Sequence, residues 1–236
     1  MSTPDPAQAP DPLAAVRGFR PAGVVFDCDG LILDTESLWE DTQQAILAAY
    51  GARVTPAQEE ALMGTTLEQS VAILAEATGQ PYDRLLAESR EDFTRRLEGP
   101  VRFMPGAKAF VELVASKVPI AVASNSWHTA LVGKLTRAGI IDLFANVQSA
   151  DTVEHAKPAP DMYARAAEQM GFEPRQCLAF EDSPVGARAA VAAGLTLIGV
   201  PSTPVPIPVA SATVDSLEDP GLIAWVSSWP DAPAPA

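Results

Sequence analysis

The chain predicts an α/β fold: a doubly wound parallel sheet with an α-helical unit inserted after the first strand. Three observations carry this. From about residue 105 onward, short apolar runs alternate with helix-length stretches, the rhythm of a parallel sheet wrapped by helices. The block 36–98 is apolar at helical spacing and shows no convincing strand. The first apolar run, Val24-Val25-Phe26, stops abruptly in Asp27-Cys28-Asp29-Gly30.

Residues 1–20 are rich in Pro and Ala and read as a loose tail. Strand one follows and ends at Asp27. In 36–98 the helical positions include Leu38, Ala45, Ile46 and Ala49, then Leu67, Val71, Ile73 and Leu74, then Leu85, Leu86, Phe93 and Leu97. Gly51 and Gly79 stand just past helical runs, where a left-handed cap favours glycine. Gly99-Pro100 breaks the pattern. Pro105-Gly106 opens a helix that runs to about Lys117, and residues 119–123 form a buried strand ending at Ser124-Asn125. A helix stopped by Gly139 precedes a short strand at 146–150. Another helix opens at Pro160 and ends at Gly171. Cys177-Leu178-Ala179-Phe180 is a strand that runs into Glu181-Asp182. A helix from Pro184 closes at Gly194, a strand covers 195–200, residues 201–210 are a Pro-rich loop, and 212–214 form an edge strand. The division expected is therefore a core of 21–35 and 101–229, a helical unit of 36–100, and tails at 1–20 and 230–236.

The bulk numbers narrow the function. The net charge is −14, which speaks against a nucleic-acid backbone or an anionic membrane as partner. No apolar run approaches the roughly 20 residues of a membrane helix, and no signal peptide is recognisable. Two cysteines, Cys28 and Cys177, make no disulfide framework. A cytoplasmic monomer is expected. Cys28, between two acids, reads as a small buried side chain rather than a redox centre.

The chemistry gathers at strand ends, the edge where open α/β sheets bind ligands. Asp27 and Asp29 follow strand one, Ser124 and Asn125 the second, Lys157 the third, Glu181 and Asp182 the fourth. Two acids one residue apart repel unless a cation or a proton intervenes. These residue types suit phosphoryl transfer. Asp27 would attack phosphorus and Asp29 would serve as general acid and base. Mg²⁺ would be held by Asp27, the backbone carbonyl of Asp29, and Asp182. Lys157 would hold a phosphate oxygen, and Ser124 and Asn125 would bond the transferring group through hydroxyl and amide N–H groups.

The ordered set resembles the haloacid dehalogenase-like (HAD) hydrolase superfamily. Its DxDG motif is Asp27-Cys28-Asp29-Gly30, its second-motif Ser is Ser124, its third-motif Lys is Lys157, and its fourth-motif acids are Glu181-Asp182. The helical insert resembles the type-1 α-helical cap. Asp34-Thr35-Glu36 and Lys157-Pro158-Ala159-Pro160-Asp161 are similar to the β-phosphoglucomutase-like phosphatase branch. The resemblance implies a Rossmannoid core, Mg²⁺ dependence and a small phosphorylated metabolite, with sugar phosphates preferred. Asp29 argues against dehalogenation, whose enzymes lack that acid. The lysine-free block 36–98 argues against phosphonate hydrolysis, which uses a cap lysine. Against a mutase, Met63 and Leu67 are apolar where that branch carries basic residues around Gly64. Trp39 replaces a His, and Trp127 and His128 replace Lys and Asn.

The expected function is thus a phosphatase working through an aspartyl phosphate. The alternatives are a sugar-phosphate mutase and a non-catalytic binding or regulatory protein. Glu181 would support the site from behind. Substrate specificity is expected from Glu36, Trp39, Gly64, Thr65, Thr66, Ser70 and His128.

Overall fold

The computed structural model describes residues 11–62, 65–99 and 101–231. The chain runs through β1 (Gly23–Phe26) and β2 (Leu33–Asp34). Four helices follow: α1 (Glu36–Ala49), α2 (Pro56–Leu62), α3 (Leu67–Thr78) and α4 (Tyr82–Leu97). It returns through β3 (Arg102–Phe103), α5 (Ala107–Ala115), β4 (Ile120–Ser124), α6 (His128–Arg137) and β5 (Phe144–Ser149). Then come α7 (Asp161–Gln169), β6 (Cys177–Glu181), α8 (Pro184–Ala193), β7 (Thr196–Gly199), β8 (Ala212–Thr213) and α9 (Pro220–Ser227). The main sheet has the order β5-β4-β1-β6-β7-β8, with every pairing parallel. The expected doubly wound α/β architecture is what the chain adopts.

Side-chain alternation explains the two layers around this sheet. Val24 and Phe26, with Val122, Leu178 and Phe180, face the layer that contains residues of α5, α6 and α9. Val25, Ala121, Ala123 and Ala179 face α7 and α8, whose own contributions include Ala166, Ala167, Ala187 and Ala190. Phe26 and Phe180 stack at 5.2 Å, and Phe110 meets Phe180 edge-on at 5.2 Å. The register sets the site. Phe26 pairs with Val122 on one side and Phe180 on the other, so Asp27, Ser124 and Glu181 emerge together at the carboxyl edge.

Between β2 and β3 the four helices carry an apolar cluster of their own, including Ile46, Val71, Leu74 and Leu85. β2 and β3 pair antiparallel, Leu33 with Phe103 and Asp34 with Arg102, where the chain leaves and re-enters the sheet. Leu33-Asp34 and Arg102-Phe103, one apolar and one charged residue each, carry no strand signal in the sequence. A second contact joins the layers: Phe93 meets Trp39 at 5.4 Å and Trp127 at 5.5 Å, both edge-on.

The expectation of a loose tail over 1–20 needs correction. Residues 11–20 are folded: Leu13 and Val16 are fully buried in the main core. They pack with α9, whose Trp225 donates its indole N–H to the Arg17 carbonyl at 3.3 Å. Apolar residues spaced by three among prolines and alanines were enough to dock the segment. The first ten residues and the last five lie outside the described set. Trp229 is buried, and the exposed Asp231 meets Lys117. Among the described residues, no helix is long and apolar enough to cross a membrane.

Candidate active site

Asp27 is buried at the end of β1, where its Oδ1 accepts from Lys157 Nζ at 2.5 Å. The same ammonium donates to Glu181 Oε1 at 2.6 Å, which also accepts from the Tyr163 hydroxyl at 2.6 Å. The Ser183 N–H and hydroxyl donate to Glu181 Oε2 at 3.3 and 3.2 Å. Glu181 is fully buried and has both oxygens occupied. Its carboxylate lies against Gly186 in the first turn of α8, where a Cβ would fall 1.7 Å from Oε1. The Lys157 loop is clamped by Asn125. Its Oδ1 accepts from the Lys157 N–H at 3.1 Å, and its Nδ2 donates to the Lys157 carbonyl at 3.4 Å. The Asn125 side chain is therefore committed to the loop.

Asp29 looks the other way. Its carboxylate accepts from the hydroxyls of Ser124 (2.6 Å), Ser126 (3.0 Å) and Thr35, and from Lys134 Nζ. Lys134 is fully buried and also donates to Ser126 Oγ at 2.9 Å. Gly30, in the left-handed region at φ 81°, turns the chain straight after Asp29. Its N–H donates to the Leu33 carbonyl at 2.9 Å.

The two aspartates titrate in opposite directions. Burial pushes the Asp27 carboxyl up to about 8; the Lys157 charge opposes this, and the Glu181 and Asp29 carboxylates add to it. Burial would also raise Asp29, but Lys134 and the hydroxyls of Ser124 and Thr35 outweigh it and hold the group at about 2. Burial would lower Lys157, yet Asp27 and Glu181 keep it above the usual lysine range. Burial drives the Cys28 thiol up, in keeping with an inert side chain.

Carboxylate oxygens of Asp27, Glu181 and Asp182 lie within 4.8 Å of one another. Asp182 Oδ2 accepts from the Ser202 hydroxyl at 2.6 Å. Three buried acids at this spacing repel one another, and an all-oxygen donor set suits a hard divalent cation such as Mg²⁺. Asp29's carboxylate is not in the cluster, so only its backbone carbonyl is left for the metal role expected of it.

A cavity of about 650 Å³ lies between this edge and the four inserted helices. Trp39 and Thr65 line it, with Thr65 donating to the Leu62 carbonyl at 2.8 Å. Ser70 is buried against Thr65 Oγ1 at 2.5 Å, and Thr66 is spent on a capping box with Gln69 at the start of α3. Neither lines the cavity. His128 does not reach it either: the residue is exposed at the start of α6, its N–H donating to Asp151 at 2.7 Å. Glu36 begins α1, but its side chain, together with Met63 and Gly64, lies outside the described set.

Sequence reasoning missed Lys134, Thr35, Ser126, Tyr163 and Gly186. One signal was present. Lys134 occupies the apolar stripe of α6 with Ala130, Leu131 and Leu135, and a lysine there needs a buried partner.

The family model for haloacid dehalogenase-like hydrolases matches residues 24–200. The chain is 34% identical over 187 residues to the fructose-1-phosphate phosphatase YqaB of Escherichia coli, covering 77% of this chain and 97% of that one. It is 28% identical over 184 residues to the phosphorylated carbohydrates phosphatase of Thermotoga maritima, covering 74% and 82%. The crystal structure of CbbY from Rhodobacter sphaeroides with phosphate superposes with a TM-score of 0.76 at 24% identity, covering 88% and 99%. That last likeness speaks for the fold.

Proposed function

The chain belongs to the haloacid dehalogenase-like hydrolase family, and on that premise we propose that it is a Mg²⁺-dependent phosphatase of small phosphate monoesters, sugar phosphates above all. The observation that carries the reading is the buried Asp27–Lys157–Glu181 arrangement beside Asp182, at the floor of a cavity of about 650 Å³. The names of the phosphatase relatives support the substrate class.

Asp27 attacks phosphorus, and the bond from phosphorus to the alcohol oxygen breaks, leaving an aspartyl phosphate. Lys157 aligns Asp27, opposes the burial that favours its protonated form, and offsets charge on the phosphoryl oxygens; a bound Mg²⁺ would complete the ionisation that the attack requires. Glu181 fixes Lys157 from behind, with Tyr163 and Ser183 fixing Glu181. Asp29 gives a proton to the leaving oxygen, then takes one from the water that attacks the aspartyl phosphate and releases inorganic phosphate. Paired with Lys134, Asp29 is a carboxylate, so the acid role requires it to turn from that lysine and take a proton from solvent before passing it to the leaving oxygen. Its bond to Thr35, at the threshold of α1, couples this turn to movement of the cap. The Ser124 and Asn125 side chains are engaged and the Ser126 N–H donates to Ser124 Oγ at 3.0 Å, so the Asn125 N–H is the group of that turn that would meet the phosphoryl oxygens. Asp27, Asp182 and the Asp29 carbonyl would hold Mg²⁺, which when bound neutralises the acids and polarises the phosphoryl group.

The test is phosphate release across a panel of sugar phosphates, with EDTA and Asp27→Asn controls. Release that stops in both controls, with acid-stable label on wild-type Asp27 after a rapid quench, is expected. Wild-type rates from Asp27→Asn would end the nucleophile assignment.

A further inference from the structure

The cavity has two electrically different ends. At the phosphoryl end the carboxylates of Asp27, Asp29, Glu181 and Asp182 face two buried lysines, Lys134 and Lys157. One divalent cation brings that end to balance. At the cap end the lining carries Glu40, Glu59 and Glu60. Asp41 also lines it, but Arg96 pairs with it at 3.3 Å. Among the described residues, no lysine or arginine ion-pairs with the three glutamates, and Lys157 is the cavity's only cationic lining residue. The neutral part of the cap wall includes the Gln43 and Gln44 amides, which can donate and accept, and the Trp39 indole.

We propose that the alcohol half of the substrate is an uncharged, hydroxyl-rich group, and that the acidic cap wall rejects esters bearing a second phosphate or a carboxylate. This rests on the phosphatase reading and sharpens it. A cleft lined by one sign of charge repels that sign in its ligand, and unpaired like charge is a direct means of rejecting the wrong one. Amides and an indole meet hydroxyls and the C–H face of a sugar without needing charge. The glutamates are exposed, so the rejection is graded and salt-sensitive.

The test holds the skeleton constant. Glucose 6-phosphate, glucosamine 6-phosphate, 6-phosphogluconate and glucose 1,6-bisphosphate are compared by kcat/KM with Mg²⁺ at low salt. Each is also titrated as an inhibitor of p-nitrophenyl phosphate hydrolysis, so the order is read in Ki as well. The amine should do at least as well as the neutral sugar, and the two anionic esters at least about tenfold worse. The gap should shrink in about 1 M salt, where the screening length falls to about 3 Å. It should close to within about threefold in the triple variant Glu40→Gln, Glu59→Gln, Glu60→Gln. Binding of the same esters to Asp27→Asn, by calorimetry, should follow the same order. Anionic esters accepted as readily as neutral ones, or a gap that ignores both salt and the triple variant, would overturn this proposal while leaving the phosphatase reading intact. Failure to hydrolyse p-nitrophenyl phosphate and all four sugars would remove both.

Discussion

Gly186→Ala tests the architecture behind Asp27. A Cβ at this position would lie 1.7 Å from Glu181 Oε1, 2.1 Å from its Cδ and 2.4 Å from Oε2. Ordinary contact needs 3.5 Å or more, so the carboxylate or the start of α8 must move by about 2 Å. Glu181 has nowhere to go, since it is fully buried and bonded by Lys157 and Tyr163, each at 2.6 Å. Overpacking costs about 1–3 kcal/mol, and a buried ion pair deprived of one partner about 3–5 kcal/mol. Because the two overlap, a loss of about 3 kcal/mol is expected, which lowers Tm by about 6–12 °C in a chain of this size. Displacing Glu181 releases Lys157 from its place on Asp27, so kcat should fall at least about tenfold. Thermal unfolding and steady-state kinetics read these directly. A double-mutant cycle identifies the cause: with Glu181→Ala in place the methyl fits, and adding Gly186→Ala should then cost less than about 0.5 kcal/mol. A Gly186→Ala protein melting within about 1 °C of wild type, or additivity in the cycle, would refute the reasoning.

Three other outcomes follow from the same geometry. If Lys157 acts on charge in the transition state, as proposed, Lys157→Ala should lower kcat by at least about a hundredfold with little change in KM; a change in KM alone would count against that role. Lys134→Met leaves the half-buried Asp29 beside three hydroxyls without its cation. It should destabilise the fold by about 2–4 kcal/mol, measured by urea unfolding, with Lys134→Arg recovering part of the loss. In metal-free protein, burial keeps Asp27 protonated to about pH 8, whereas its ordinary value is 3.8. The unfolded chain gives up that proton first, so stability should fall as pH rises from about 4 to about 8. Tm measured across that range should show the slope, and Asp27→Asn should flatten it. Added Mg²⁺ should raise Tm most at the alkaline end.

Much of the fold is legible because its signals are local. Five strands of the main sheet, β1, β4, β6, β7 and β8, are short apolar runs with polar ends. The edge strand β5, which the sequence places at 146–150, forms at Phe144–Ser149. β2 and β3 are not legible because Leu33-Asp34 and Arg102-Phe103 each join one apolar residue to one charged residue with no apolar run, and their pairing is antiparallel across the whole inserted block. α9 and the 11–20 segment were missed for a different reason. Each is short, and their apolar residues count only once they face one another, as Trp225 and the Arg17 carbonyl do.

Among the cavity candidates the sequence supplied chemical types and not directions. Thr66 and Ser70 read as polar residues of a lid, yet one caps its own helix and the other is buried against Thr65. His128 follows the second strand motif closely, but α6 begins there and carries it outward to Asp151.

From residues alone came the alternation of strands and helices, the inserted helical block, and the acids, serine and lysine at strand ends, because period and strand-end polarity are written within a few neighbouring positions. Tertiary structure alone decided how charge is shared: Lys157 goes to Asp27 and Glu181, and Lys134 reaches Asp29 across a separation of 105 residues. A buried charge is satisfied by whichever opposite charge the packing of distant elements brings within reach; the register of β1 against β4 and β6, the seating of α6 and the Asn125 clamp on the Lys157 loop set those distances.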